Sequence, residues 1–139
     1  MAEEFRLQIL TPSQELFNQT VTEVVLPAHD GERGLLKAHE NFVGLLGTGA
    51  LKLVRGGNDY WVMVSSGIYR VDRGEVTVLA ELAEPATNIQ YEQAASKSET
   101  LKNKLGDVDT QSDEYKQTQL ELLREQARVE VYRRTNLVN

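Results

Sequence analysis

Two groups of side chains in this sequence are of types that could do chemistry. The first is His29, Asp30, Glu32, His39 and Glu40, imidazoles and carboxylates gathered in one short stretch. Such groups bind transition metals and act as general acids and bases. A zinc site, however, needs three or four ligands held in register by a helix or strand. Here His29-Asp30 falls on a loop tip, with no His-x-x-x-His or His-x-Glu pairing beside it. A metal centre is therefore not expected. Ser65-Ser66-Gly67 lacks the strand-to-helix elbow that exposes a serine nucleophile. No Gly-Lys-Ser/Thr follows any glycine, which removes a phosphate cradle. The chain has no cysteine, so disulfides, thiolate metal sites and thiol nucleophiles are excluded. A small hydrolase or metal enzyme built on His29 and His39 is the only catalytic reading left, and no cofactor is expected.

The second group is cationic: Arg124, Arg128, Arg133 and Arg134. Arg124 and Arg128 are spaced to share one face of a helix. Arg133 and Arg134 close that helix, where its dipole favours cations. Guanidinium forks bind carboxylates bidentately, so this group fits an acidic partner surface. The plainer alternative is helix-end stabilisation and surface pairing with Glu121, Glu125 and Glu130.

The elements that must position these groups fall into two parts. Phe5-Arg6-Leu7-Gln8-Ile9 alternates as a half-buried strand does. Further short strands are predicted over Glu15–Phe17, Val21–Leu26, Leu35–Lys37, Ala50–Val54, Tyr60–Val64, Ile68–Val71 and Val76–Leu79. Pro27 is expected to end its strand, because it lacks a ladder N–H. Ala28–Gly34 then forms a polar tip. Arg55–Asp59 and Asp72–Glu75 have the composition of hairpin turns. Trp61 and Met63 share one face of their strand while Tyr60, Val62 and Val64 share the other, so both faces should be covered. Many short strands without an intervening helix indicate a β-sandwich or flattened barrel over residues 1–85.

At Pro85 the period changes. Thr87-Asn88-Ile89-Gln90 has the form of a capping box and should open a helix that Gly106 stops. Ala94, Ser98, Leu101 and Leu105 form its thin seam. A second helix is predicted from about Ser112 to about Arg134. Leu120, Leu123, Ala127 and Val131 make its stripe, flanked by Leu122 and Tyr132. The short loop between the two predicts an antiparallel α-hairpin over residues 86–139. Its seam carries few large apolar groups, whereas its residues are good helix formers. Such a pair can separate without melting.

The formal net charge of −6 lacks the basic footprint of nucleic-acid binding. Residues 1–85 carry −5 and residues 86–139 only −1, so the acidity belongs to the first part. With 40% hydrophobic and 26% charged residues, the composition is that of a soluble globular chain. No apolar run reaches the length of a membrane span, and Met1-Ala2-Glu3-Glu4 does not open a signal segment. Any membrane link is expected to go through a partner.

Several pieces, in order, resemble the epsilon subunit of bacterial F-type ATP synthases over nearly the whole chain. They are Leu10-Thr11-Pro12 with Glu15-Leu16-Phe17, then the strand ending in Pro27 followed by Gly31-Glu32-Arg33-Gly34-Leu35-Leu36, then His39. Val64–Tyr69 leading to Val76–Glu81 and the Gly106–Asp109 turn complete the set. The resemblance implies a non-catalytic rotor subunit, peripheral on the cytoplasmic face of the bacterial plasma membrane. It implies a sandwich that clamps the gamma subunit and stands on the ring of c subunits. Glu32 matches the tip residue that meets the c ring, and His39 the histidine on the side facing gamma. The Pro that the family often carries two positions after that His is missing here. The resemblance further implies a mobile hairpin that can extend into the catalytic head and block ATP hydrolysis. Arg124, Arg128, Arg133 and Arg134 are then the candidates for acidic residues of the beta subunit, with alpha alongside. Some members bind ATP through (Ile/Leu)-Asp-x-x-Arg-Ala. This chain keeps Ile89 and Ala94 but reads Gln90 and Gln93 at the charged positions, so nucleotide binding is expected to be weak or absent. The alternative to the rotor reading is a free-standing adaptor using sandwich and hairpin as separate interaction surfaces.

Overall fold

The computed structural model describes residues 3–37 and 40–137. Seven strands come first: β1 (Phe5–Leu10), β2 (Glu15–Val21), β3 (Glu23–Ala28), β4 (Gly31–Leu35), β5 (Phe42–Arg55), β6 (Asn58–Asp72) and β7 (Glu75–Pro85). They join in a single sheet of order β2-β1-β7-β6-β5-β3-β4. All neighbours are antiparallel except β1 and β7. Four strands separate β1 from β4 in this order, yet Phe5, Leu7 and Ile9 of β1 share one buried core with Val24 and Leu26 of β3 and Leu35 of β4. The sheet must therefore fold over on itself, and that doubled sheet is the β-sandwich. The Thr22 amide donates to the Val54 carbonyl at 2.9 Å, tying the end of β2 across to β5.

The fold-over is visible in which residues face inward. On β6, Val62 and Val64 point into the core, and so do Tyr69 and Val71. A strand alternates faces, so the parity has changed between them. The change falls at Ser66 (φ 61°) and Gly67 (φ 133°), which are left-handed or beyond. β5 changes parity between Leu46 and Leu51, and β7 between Ala80 and Ala83. Sequence reading expects separate strands at Tyr60–Val64 and Ile68–Val71, and a strand only from Ala50. The structure runs β5, β6 and β7 as continuous strands of 14, 15 and 11 residues. The broken alternation marks a bend inside each strand rather than its end.

Two further strand expectations are corrected. Pro27 does not end β3: it pairs with Glu32 of β4, and the β3–β5 register shifts between Val25 and Ala28. Proline is tolerated there because the irregular ladder asks no N–H of it. The strand predicted at Leu35–Lys37 lies instead over the polar tip, as β4. At the other turns, Gly56-Gly57 and Arg73-Gly74 have positive φ at both central positions, matching the twist of a tight hairpin.

After a 3₁₀ turn at Ala86–Asn88 come α1 (Tyr91–Leu105) and α2 (Asp113–Leu137). The expected capping box does not form. Gln90 is extended at the N-cap, without a side-chain cap bond. Ile89 is buried with Ala127 and Val131 of α2 and is itself extended, so burying it holds the chain out of helix until Tyr91. α2 does carry a cap: the Tyr115 amide donates to Ser112 Oγ at 3.1 Å. α2 packs across β5 and β6 and against α1, so α1 forms the outer layer. Met63, Ala50 and half-buried Trp61 lie beneath α2, while Val62 and Val64 face the sandwich core. That central strand is covered on both sides, as its pattern predicts.

Candidate functional site

The tip is a two-strand hairpin in which Ala28 pairs with Gly31 across a His29-Asp30 turn. Both Glu32 and Arg33 are exposed on its edge strand. The Arg33 guanidinium lies 5.8 Å from the Phe42 ring centroid, which steadies the tip against β5. Next to it the outer face of the sheet shows unusual apolar exposure. Val43 is 62% exposed and Leu45 59%, with Leu36 at 60%. Leu45 stands opposite Ile68, and Ile68 opposite exposed Leu79, so the apolar row crosses three strands. Asn41 Oδ1 accepts from the Arg73 amide at 2.9 Å and anchors the start of β5 to the β6–β7 turn. His39 lies outside the described residues. Among the described residues no three His, Asp or Glu side chains converge as metal ligands would.

The four arginines are placed differently. Arg124 Nε donates to Ser65 Oγ at 2.7 Å, and its Nη2 lies 3.3 Å from Glu81 Oε2. Ser65 is fully buried and also bonds Thr48 Oγ1 at 2.8 Å. Arg128 grips Glu84 with two nitrogens, at 2.6 and 3.3 Å, and bonds Glu125 Oε1 at 2.8 Å. Glu125 is only 5% exposed, in the seam between the helices, with Lys97 3.8 Å away. Burial works against the Arg128 charge, but bonds and attraction from Glu84 and Glu125 outweigh it and raise its pKa above the ordinary arginine value. A raised pKa means the stabilisation is complete below the unfolded value and lost only at higher, strongly alkaline pH. Acidity in the neutral range therefore does not release this arginine. Arg133 bonds the Tyr91 hydroxyl at 3.1 Å and lies over its ring, which stacks on Tyr132. Arg134 lies 5.4 Å from the Trp61 centroid and 3.9 Å from Glu130.

All four therefore face this chain's own groups, and two of them staple α2 to β7. Sequence reading names the arginines but not their partners Ser65, Glu81 and Glu84. A serine inside β6 and two glutamates in β7 carry no signal of a facing helix. Nor does it find the row of Val43, Leu45 and Leu79, because it expects no strand before Ala50 and reads Leu79 as the end of an ordinary one.

The family profile that matches residues 4–86 is that of the ATP synthase delta/epsilon chain β-sandwich domain. An ATP synthase epsilon chain of Desulforamulus reducens is 34% identical over 81% of this chain and 86% of its own length. The chain belongs to the ATP synthase epsilon-chain family. Another member, from Nitratidesulfovibrio vulgaris strain DP4, is 32% identical over 94% of this chain and 97% of that relative, so the likeness includes the helices. Among solved structures, a chain of the Euglena gracilis mitochondrial ATP synthase superposes with TM-score 0.76 at 21% identity, covering 96% of this chain and 81% of that one. A chain of the Tetrahymena thermophila central stalk and c ring gives TM-score 0.62 at 11% identity, over 96% and 97%. At such identities the two structures establish a shared fold. Membership of the epsilon-chain family makes this chain a rotor subunit of an ATP synthase. Among the described residues no helix is long and apolar enough to cross a membrane.

Proposed function

We propose that this epsilon-family chain couples gamma to the c ring through residues 1–85 and regulates ATP hydrolysis through residues 86–139, without catalysing a reaction itself. The tip with Glu32 is the piece offered to the c-ring loops, and the exposed row of Val43, Leu45 and Leu79 is offered to gamma, the partner that the family resemblance also assigns to His39. Exposed apolar patches of this kind mark interaction surfaces. On this reading the chain works as a peripheral part of the complex at the cytoplasmic face of the bacterial plasma membrane.

The observation that carries the regulatory part is the stapling of α2 by Arg124 and Arg128. Guanidiniums that hold Glu81 and Glu84 are ready to exchange onto carboxylates of beta, with alpha alongside, when the hairpin extends. Arg133 and Arg134, nearer the helix end, leave rings instead of carboxylates. Exchange of like for like keeps the difference between docked and extended states small enough for a partner to set. The decisive comparison is ATP hydrolysis by the organism's own catalytic head with the full chain and with a chain ending at Glu84. Inhibition by the full chain alone is expected. Binding of both with inhibition by neither would reduce the chain to a coupling clamp.

Nucleotide binding is expected to be weak or absent. Ile89, Gln90, Gln93 and Ala94 border a shallow cleft together with Glu84, Glu125 and Arg128. Both cations there are already paired with carboxylates, Arg128 with Glu84 and Glu125, and Lys97 with Glu125 at 3.8 Å. Isothermal titration of the full chain with ATP should give no micromolar heat, and a saturating isotherm would overturn this reading.

A further inference from the structure

Val43, Leu45, Leu79 and Leu123 all stand exposed although they are large and apolar. Three belong to the sheet and one to α2, and the run of the helix brings them together. α2 crosses β6 in the opposite sense: Arg134 lies over the Trp61 ring, Ala127 and Val131 pack with Met63, and Arg124 Nε reaches Ser65 Oγ at 2.7 Å. From Arg134 to Arg124 the helix rises about 15 Å, and from Trp61 to Ser65 the strand rises about 13 Å, so the two keep step. One turn nearer the helix start, Leu120 therefore comes over the Ser66-Gly67 bend, with Ile68 just beyond it. Successive helical residues turn by about 100°. Arg124 leans toward Glu81 of β7, and Glu125 faces Lys97 of α1, so Leu123 falls on the opposite flank, toward β5. In the sheet Gly67 pairs with Leu46 and Ile68 with Leu45, and Ile68 also pairs with Leu79. Leu123 thus comes down beside that row.

The exposed apolar surface therefore runs from the sandwich onto the helix, and exposed Arg70, opposite Val43, stands at its rim. An apolar centre with a polar rim is the build of an interface. A patch shared between two parts exists only while the two are together. Resting on the reading that the row faces gamma, and on the continuity of the patch with that row, we propose that gamma also covers Leu120 and Leu123. Its binding surface is then complete only when the hairpin is docked. Gamma binds the docked chain more tightly than the extended one, and by linkage it holds the hairpin down by the same factor. The carboxylates of the catalytic head pull the other way. The position of the hairpin follows from the balance between these two partners.

The full-length chain is titrated with purified gamma of the same synthase. Leu123 is exposed, so Leu123→Ser spares the fold. Leu45→Ser should weaken gamma binding about tenfold and Leu123→Ser about fivefold, in keeping with the apolar area each would bury. Arg128→Ala, which frees the hairpin, should weaken it too. Gamma should slow amide exchange across α1 and α2 of the natural chain, and much less in Leu123→Ser. No loss with Leu45→Ser would overturn the gamma face itself. A loss with Leu45→Ser but none with Leu123→Ser would leave that face standing and overturn the share taken by α2. Unchanged or tighter binding of Arg128→Ala would show that gamma does not favour the docked hairpin, and would overturn the coupling.

Discussion

Gly67→Ala is expected to lower stability by about 3–5 kcal/mol, a large share of the roughly 5–15 kcal/mol that holds a domain of this size. Gly67 has φ +133°, and a Cβ there would lie 1.9 Å from the Leu79 carbonyl oxygen. That oxygen is backbone, so no side chain can swing away; β7 itself would have to shift from β6. The two strands are paired on both sides of this point, Ile68 with Leu79 and Ser65 with Leu82. Gly31 provides the control. Its φ is +129°, but an added Cβ meets nothing within 4 Å. Gly31→Ala therefore carries the dihedral cost alone, about 1–3 kcal/mol. Urea unfolding of the two variants separates the terms, read as a shift in midpoint at constant slope. Equal losses would show that the close approach of Leu79 is not what demands glycine.

Arg128→Ala should have the next largest effect, and of a different kind. Removing one partner of a buried ion pair typically costs 3–5 kcal/mol, because the other charge stays behind unpaired. Here the figure is reduced to about 2–3 kcal/mol, since Glu84 is partly exposed and Lys97 remains near Glu125. The apolar seat of α2 is Met63, Ile89 and Val131, with Ala50 and Ala127 between them and Trp61 and Leu82 half-buried alongside. Each large side chain there contributes about 1.5–3 kcal/mol. Loss of the staple is therefore comparable with the loss of one of these side chains. The hairpin should come away while the sandwich persists. Amide exchange should accelerate across α1 and α2 and stay slow on β5–β7, and Trp61 emission should move to the red. Glu125→Gln keeps an acceptor for Arg128 and should do much less. Uniform acceleration over the whole chain in Arg128→Ala would mean that sandwich and hairpin unfold as one unit.

The sandwich was legible in the sequence where physics is local. Phe5, Leu7 and Ile9 alternate because one face of β1 is buried, and Gly56-Gly57 and Arg73-Gly74 announce their turns by composition. The length of β6 was not legible, because Ser66-Gly67 breaks the alternation as a strand end would. β4 was missed because Gly31–Gly34 is exposed and has no buried face to alternate with. On α2 a single apolar stripe was expected through Leu120 and Leu123, but Leu123 is exposed and Leu122 buried. The helix has two buried sides, one toward the sheet through Ala127 and Val131, the other toward α1 through Thr118, Leu122 and Glu125. Two narrow stripes, one of them holding a glutamate, do not sum to one period. At the site, Arg124 and Arg128 could be named from their spacing, whereas Glu81 and Glu84 could not. Pairing across more than forty positions leaves no local trace.

The parallel pairing of β1 with β7 sets an order of assembly. Leu7–Leu10 must find Val76–Leu79, across most of the sandwich's own length. Such distant closure is slow, since the intervening chain must be ordered first. During synthesis the β1–β2 hairpin leaves the ribosome early, with one edge of β1 unpaired until Glu75–Pro85 follows it. An open edge is a template for any passing strand, including that of a second nascent copy. The newborn chain is thus most exposed to mispairing before its last strand arrives, and the helices appear only after that hazard has passed.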